Sequence, residues 1–340
     1  MNLTKAHREL YRRTPDEMFE SLDDLARHVI EEKEKSDDLW HRPEEIEPTV
    51  LNDQVRVQLG SDGAFTMNDW SFGQMCRIAS VNKETLNRLS PETASRALVE
   101  TFPTGNKPLQ LFARGEQIRS IHGTAYTRLY NADLVDLVQD TAEGFEPAQK
   151  AETGHTGLYC GEQDLFMFLI DPSGWVDIEG EAFAPGFFLW NSEVGKRSLG
   201  IQTFWFQQVC GNHIVWDAVE VIEFSRKHTA RVGESLEEIR ELILHLLDKR
   251  DQRKDSFARV IENAMKTRLG DDADEVLKIL NREGIPKNLS KEVIQSAQEQ
   301  GRFTIFAVVD ALTRMSGKIK NAGDRTETDR KASALLALAA

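Results

Sequence analysis

Three short stretches carry side chains able to do chemistry. The first is NSEVGKRSLG, Asn191 to Gly200, set between the aromatic runs GFFLW and IQTFWFQ. Lys196 and Arg197 are the only basic residues between positions 151 and 200, a window that also holds eight acidic ones. A glycine lets the backbone approach a ligand, and Lys196 and Arg197 beside Ser192 and Ser198 supply the donors a phosphate needs. The same residues also fit a plain hairpin turn closed by Glu193 pairing with Lys196 or Arg197. The second stretch is IRSIHGTAYTRLYN, where Arg119, His122, Tyr126, Arg128 and Tyr130 alternate basic and aromatic side chains. In an extended chain alternate residues share a face, so Tyr126, Arg128 and Tyr130 would stand together, arginines for phosphates and rings for unpaired bases. The competing reading is tyrosines at a core edge with arginines in water. The third is VCGNHIVW, in which Cys210, Asn212 and His213 form a turn. With His155 and Cys160 it offers the four ligands of a tetrahedral zinc site, but the His155 to Cys160 spacing is loose and free cysteines commonly fill cores. No metal is expected.

These residues need a scaffold, and the hydrophobic pattern predicts one. Residues 1–50 read as a charged helical arm ending in the connector EEKEKSDDLWHRPEEIEP. Residues 51–230 read as a core that begins with a hairpin around Ser61-Asp62-Gly63. Helices follow, capped by Asn68 and by Ser90 before Pro91, then the strands LQLFAR and IRSIHGTAY, then a helix from Asn131 to Gly144. From Gly157 to Glu223 aromatic and β-branched residues between glycine, proline and aspartate predict one mainly antiparallel sheet. From residue 231 the period becomes helical, giving a C-terminal region packed on the sheet or mediating self-association. The fold class is α+β. Short loops in such a sheet would bring residues 191–198 and 210–213 to one end, forming a single functional face with Trp190 beside it.

Composition narrows the function. The chain has 340 residues and a net charge of −14, with 8 basic and 14 acidic side chains in residues 1–50. An anion site in such a protein is local rather than a broad basic patch. Three cysteines make a disulfide framework improbable, and with no secretory signal or apolar run of membrane length the expected setting is the cytoplasm. None of GxxxxGK[ST], GxGxxG, GxSxG or HExxH occurs, so no cofactor is expected.

The segments IRSIHGTAYTRLYNADLVDLV, GLYCGEQDLFMFLID, FFLWNSEVGKRSLGI and VCGNHIVW, in that order, resemble the phage/plasmid-like family, bacterial proteins found on prophages, plasmids and genomic islands. The resemblance spans about Asp69 to Arg231, with an echo in ALTRMSGKIKNAGDRTETDRKASALL. It implies a mobile-element setting and an α+β core, and proteins of that setting often handle DNA. A link to phage single-strand annealing proteins rests on that context and on the sheet-plus-helix pattern.

The leading expectation is therefore a non-enzymatic protein that binds or anneals single-stranded DNA. Arg119, Arg128, Lys196 and Arg197 would hold phosphates and Tyr126 and Trp190 would stack on bases, with Asn191, Ser192, Asn212 and His213 completing the face. The alternatives are a protein-binding module that counters host defence by imitating nucleic acid with its negative charge, and an enzyme acting on a nucleotide or phosphate ester with His122, His213 and Glu193 as acid-base groups.

Overall fold

The computed structural model describes residues 9–148, 157–207, 213–216, 223–299, 303–316, 319 and 322–339. Along the chain run β1 (Glu17–Met18), α1 (Leu22–Glu34), β2 (Ser36–His41), β3 (Ile46–Leu51), β4 (Gln54–Leu59), β5 (Gly63–Met67), α2 (Asp69–Ile78), α3 (Lys83–Leu86), α4 (Pro91–Thr101), β6 (Leu109–Arg114), β7 (Gln117–Gly123) and α5 (Asn131–Thr141). Next come β8 (Glu146–Pro147), β9 (Leu158–Cys160), β10 (Leu165–Ile170), β11 (Val176–Ile178), β12 (Glu181–Asn191), β13 (Leu199–Gln207), β14 (His213–Trp216) and β15 (Glu223–Arg226). Six helices close the chain: α6 (Ser235–Asp248), α7 (Arg250–Lys266), α8 (Ala273–Arg282), α9 (Lys287–Glu299), α10 (Ile305–Ser316) and α11 (Ala322–Leu336). The fold is α+β.

Two sheets form. The first has the order β2-β6-β7-β5-β4-β3. Asn52 and Asp53, both at positive φ, make the tight turn between β3 and β4. Asn68 caps α2 by accepting the Ser71 N–H, and Ser90 caps α4 ahead of Pro91. Those two helices bury Phe72, Met75 and Leu98 against Val57, Leu59, Leu111 and Ile118.

The second sheet has the order β1-β9-β10-β12-β13-β14, with β8 on β10, β11 on β12 and β15 on β13. Side chains alternate across its strands, so it has two unlike faces. Met167, Leu169, Phe187, Leu189 and Ile201 pack with α1, α5 and α6. On the opposite face Tyr159, Phe166, Phe168, Phe188, Trp190 and Phe204 form an aromatic layer. Helices α7 to α11 make their own core around Phe257, Ile261, Leu280, Val308 and Leu335. That core joins the sheet through Phe183 and Trp205, whose ring stacks on Phe257 at 4.4 Å.

The described part of residues 1–50 is built into the body rather than held out as an arm. Leu25 and Val29 of α1 are buried in the same core as Val135 and Val138, and SDDLWH, expected as connector, is β2, paired with β6 through all six residues. Its charges are tolerated because it is an edge strand and Asp38 has a cationic partner, Arg128. Strand β13 corrects a second expectation. Its Leu199 end pairs with β15 and its Gln207 end with His213, so residues 191–198 and His213 lie at opposite ends, about 27 Å apart at strand rise. Asn212 and Cys210 fall outside the described residues.

Candidate anion-binding cleft and the buried turn beside it

The turn from Asn191 to Gly195 does not project into solvent. Asn191, Ser192, Glu193 and Val194 are all buried, because the turn is driven into the first sheet. Asn191 donates through Nδ2 to Leu129 O and Asn131 Oδ1, and Ser192 Oγ donates to Gln163 O while accepting the Lys196 N–H. Trp70 Nε1 donates to Val194 O at 2.8 Å, and His122 Nε2 lies 3.0 Å from the same oxygen. Tyr126 Oη donates to Glu193 O at 2.8 Å, and Arg128 Nη1 donates to the same carbonyl.

Glu193, only 3% exposed, is the centre of this mount. One carboxylate oxygen lies 3.1 Å from Arg119 Nη1, and the other accepts the backbone N–H of Asn131 at 2.7 Å. That N–H is the first of α5, where a negative charge is favoured by the helix dipole. Asn131 is the first residue of this helix, and the cap position is Tyr130, which makes no side-chain cap bond. Arg119, 7% exposed, also lies 3.6 Å from Glu32 of α1. Arg128 pairs with Asp38 at 2.7 Å and stands over the Phe112 ring. Desolvated carboxylates and guanidinium groups at these separations must be paired, so the network fixes the turn.

Gly195 is required here: its φ is +70°, and a Cβ would lie 2.6 Å from His122 Cε1 and 3.0 Å from Tyr126 Cε2. The close approach anticipated for this glycine is thus made to protein rings. His122 stacks on Tyr126 at 3.7 Å, and His228 follows at 5.5 Å. Burial pushes both imidazoles down to about 4 and the Tyr126 hydroxyl well above its ordinary range.

Several expected roles are thereby corrected. Arg119, Tyr126 and Arg128 are consumed by carboxylates and carbonyls, and strand β7 ends at Gly123, before the alternation that would have lined up Tyr126, Arg128 and Tyr130. Asn191 and Ser192 are equally enclosed. Glu193 pairs with Arg119, not with Lys196 or Arg197 as the plain-turn reading required. His122 and Glu193 belong to the mount while His213 is at the far end of β13, so the three acid-base candidates share no pocket.

Lys196 and Arg197 emerge on the other side of the turn, and there a cleft of about 350 Å³ opens between the aromatic face of the second sheet and α11. Its inner wall is Phe166, Phe188 and Trp190, and its rim carries Lys196, Arg197 and Arg330. Ser198, Ser225 and Thr326 add hydroxyls and Glu327 the one carboxylate. Lys196 is exposed, with Nζ 5.1 Å from the Trp70 ring centre. Arg197 lies over Phe166, 3.4 Å from buried Asp164 and 3.7 Å from Glu327. Trp190 stacks on Phe188 at 4.7 Å with its indole against Gly200, where any Cβ would collide with it. Its stacking partner is therefore Phe188, and only its edge lines the cleft.

Sequence reasoning missed Ser225, Thr326, Glu327 and Arg330. The stretch GDRTETDRKASALL has charge on every side of its helix, so no apolar stripe announces that it lies over an aromatic face. Trp70, which holds the turn directly, and Asp38, which holds Arg128, were invisible for a different reason: their partners lie 124 and 90 residues away along the chain. Among the described residues no group of three or more His, Cys, Asp or Glu side chains is placed to hold a metal ion, and no helix is long and apolar enough to cross a membrane.

Compared with protein-family models, curated proteins and solved structures, the chain gives no match.

Proposed function

We propose that the protein binds single-stranded DNA without catalysis, gripping it through one nucleotide in the Lys196–Arg197 cleft. The observation that carries this reading is the convergence of three cations, Lys196, Arg197 and Arg330, on the mouth of a cleft with an aromatic inner wall. A phosphate takes charge-assisted hydrogen bonds from such a rim, and a sugar or base edge fills the apolar interior. The volume is of the size that small ligands occupy, and the chain's overall negative charge confines the interaction to this spot. With Arg119 and Arg128 held in the mount, the site is a single grip and not the continuous groove that the full set of four cations would have formed. The mobile-element setting implied by the family resemblance belongs to the same proposal.

The helices α7 to α11 turn their apolar residues into their own core, and of the large apolar side chains described after residue 234 only Leu244, Leu247 and Leu338 are exposed. The proposal is accordingly one DNA grip per chain, with self-association through those helices left out of the mechanism.

Fluorescence anisotropy of a labelled oligothymidylate over a salt series tests the reading, comparing the parent with Lys196→Ala/Arg330→Ala. The expected result is weaker binding and a salt slope shallower by about 0.7 for each phosphate that is no longer neutralised. Equal affinity and slope for the two proteins, or no binding by the parent at low salt, would overturn it.

A further inference from the structure

A second groove, of about 340 Å³, lies along α2 where the chain turns into α3. Trp70, Gly73 and Arg77 line it at helical spacing, with Asp69 and Cys76 beside them on α2 and Val81, Asn82 and Lys83 completing the wall. Lys83 crosses Gly73 to reach Asp69. A Cβ on that glycine would lie 3.3 Å from Lys83 Cδ, and the ammonium is 2.7 Å from the Asp69 carboxylate. The pair cancels its own charge, which leaves Arg77 as the net charge of the groove. Arg77 is exposed, and among the described residues no carboxylate forms an ion pair with it.

Trp70 connects this groove to the cleft. Lys196 Nζ stands 5.1 Å from its ring centre. Lys196 lines the cleft and not the groove, so the part of the indole that the groove exposes is not the part the ammonium covers. Trp70 Nε1 donates to Val194 O at 2.8 Å, and that bond fixes the ring before any ligand arrives. A ring already held in place has little rotamer freedom left to lose when a base stacks on it. Cation, aromatic platform and second cation thus follow one another from Lys196 through Trp70 to Arg77, the combination by which single strands are held without sequence readout.

We propose that the Trp70–Arg77 groove is a second nucleotide subsite, so that a strand held in the cleft passes Lys196, stacks its next base on Trp70 and sets the following phosphate against Arg77. This rests on the reading of the cleft as a nucleotide site and extends that grip by one nucleotide. Lys196 is the shared element, since the phosphodiester it neutralises joins the nucleoside in the cleft to the one on Trp70. The Asp69 carboxylate does not repel the strand because Lys83 neutralises it, and Val81 offers an apolar contact for the base or sugar. A duplex keeps the faces of its bases stacked inside, out of reach of Trp70, so the subsite takes unpaired bases.

Calorimetric titration of the full-length protein compares thymidine 5′-monophosphate with an oligothymidylate several nucleotides long. The mononucleotide reads the cleft, whose rim carries three cations, and the oligomer reads cleft and groove together. The parent is expected to bind the oligomer about tenfold or more tightly, the worth of one stacked base. Arg77→Ala should weaken the oligomer, make its salt slope shallower by about 0.7 and leave the mononucleotide as it was, whereas Lys196→Ala should weaken both. Trp70→Leu should remove most of the oligomer's advantage. Should that variant not fold, Arg77→Ala decides, because Arg77 is exposed and outside the buried mount. An Arg77→Ala protein with the parent's oligomer affinity and salt slope overturns the subsite and leaves the cleft standing, as does a parent that binds the two ligands equally. A parent that binds neither overturns the underlying function instead.

Discussion

Replacing Arg119 by methionine isolates what the buried mount contributes. Arg119 is 3.1 Å from one carboxylate and 3.6 Å from another, and all three side chains are nearly solvent-free. Methionine keeps most of the volume and leaves Glu193 with the Asn131 N–H as its remaining strong partner and Glu32 with Arg114. Removing one member of a buried ion pair typically costs 3–5 kcal/mol, and the surviving N–H bond places this case near the lower bound, about 3 kcal/mol. Against a typical total stability of about 5–15 kcal/mol, that is a large fraction, read as a lowered midpoint in urea unfolding with the same slope. The companion double variant, Arg119→Met with Glu193→Gln, removes both charges and retains an acceptor for the Asn131 N–H. It should recover most of the loss, since a buried pair replaced as a unit is often close to neutral. A loss below about 1 kcal/mol for Arg119→Met, or a double variant as unstable as the single one, would refute the view that Glu193 is a desolvated charge held by Arg119.

Three further outcomes follow from the same geometry. Arg197→Ala should lower stability by about 1–3 kcal/mol in the same assay, because it withdraws the nearer cation from buried Asp164; a turn free in solvent would have lost no more than about 0.5 kcal/mol. Gly195→Ala should lose more than the 1–2 kcal/mol of left-handed backbone strain alone, since the added Cβ meets His122 and Tyr126, and the near-ultraviolet circular dichroism of the ring stack should change with it. Asp329→Asn should stabilise the protein progressively as pH rises. The folded carboxyl titrates at about 7 against an ordinary 3.8, so the parent loses stability between those values, and the variant's advantage should grow by up to about 4 kcal/mol across that window and then level off. An advantage independent of pH would show that Asp329 is not the titrating group.

Much of the framework was legible because it is local. Asn68 and Ser90 cap the helices their side chains can reach three residues on, and the hairpin around Asp62-Gly63 follows from residues that tolerate its backbone. The strands of the second sheet announce themselves by aromatic content. What was not legible depends on partners far along the chain. Glu193 reads as a surface charge next to Lys196 until β7 brings Arg119, 74 residues earlier, against it. SDDLWH reads as solvated connector because an edge strand is defined by the neighbour it pairs with, not by its own composition. Polar α11 reads as surface because nothing in its sequence shows that it faces aromatic rings.

The plugged turn also has a consequence for the order of events during synthesis. Residues 9–141 leave the ribosome before Glu193 exists, and they carry Arg119 and Arg128, whose burial is complete only when the turn arrives. Until then the nascent N-terminal half holds a cationic socket flanked by Trp70, His122 and Tyr126. When β12 and β13 emerge, the first element of the second sheet able to close that socket is their connecting turn. The second sheet should therefore assemble on the first as a template, so that a chain halted after residue 145 exposes an open, protease-sensitive receptor and a chain beginning at residue 145 has no partner for its buried glutamate.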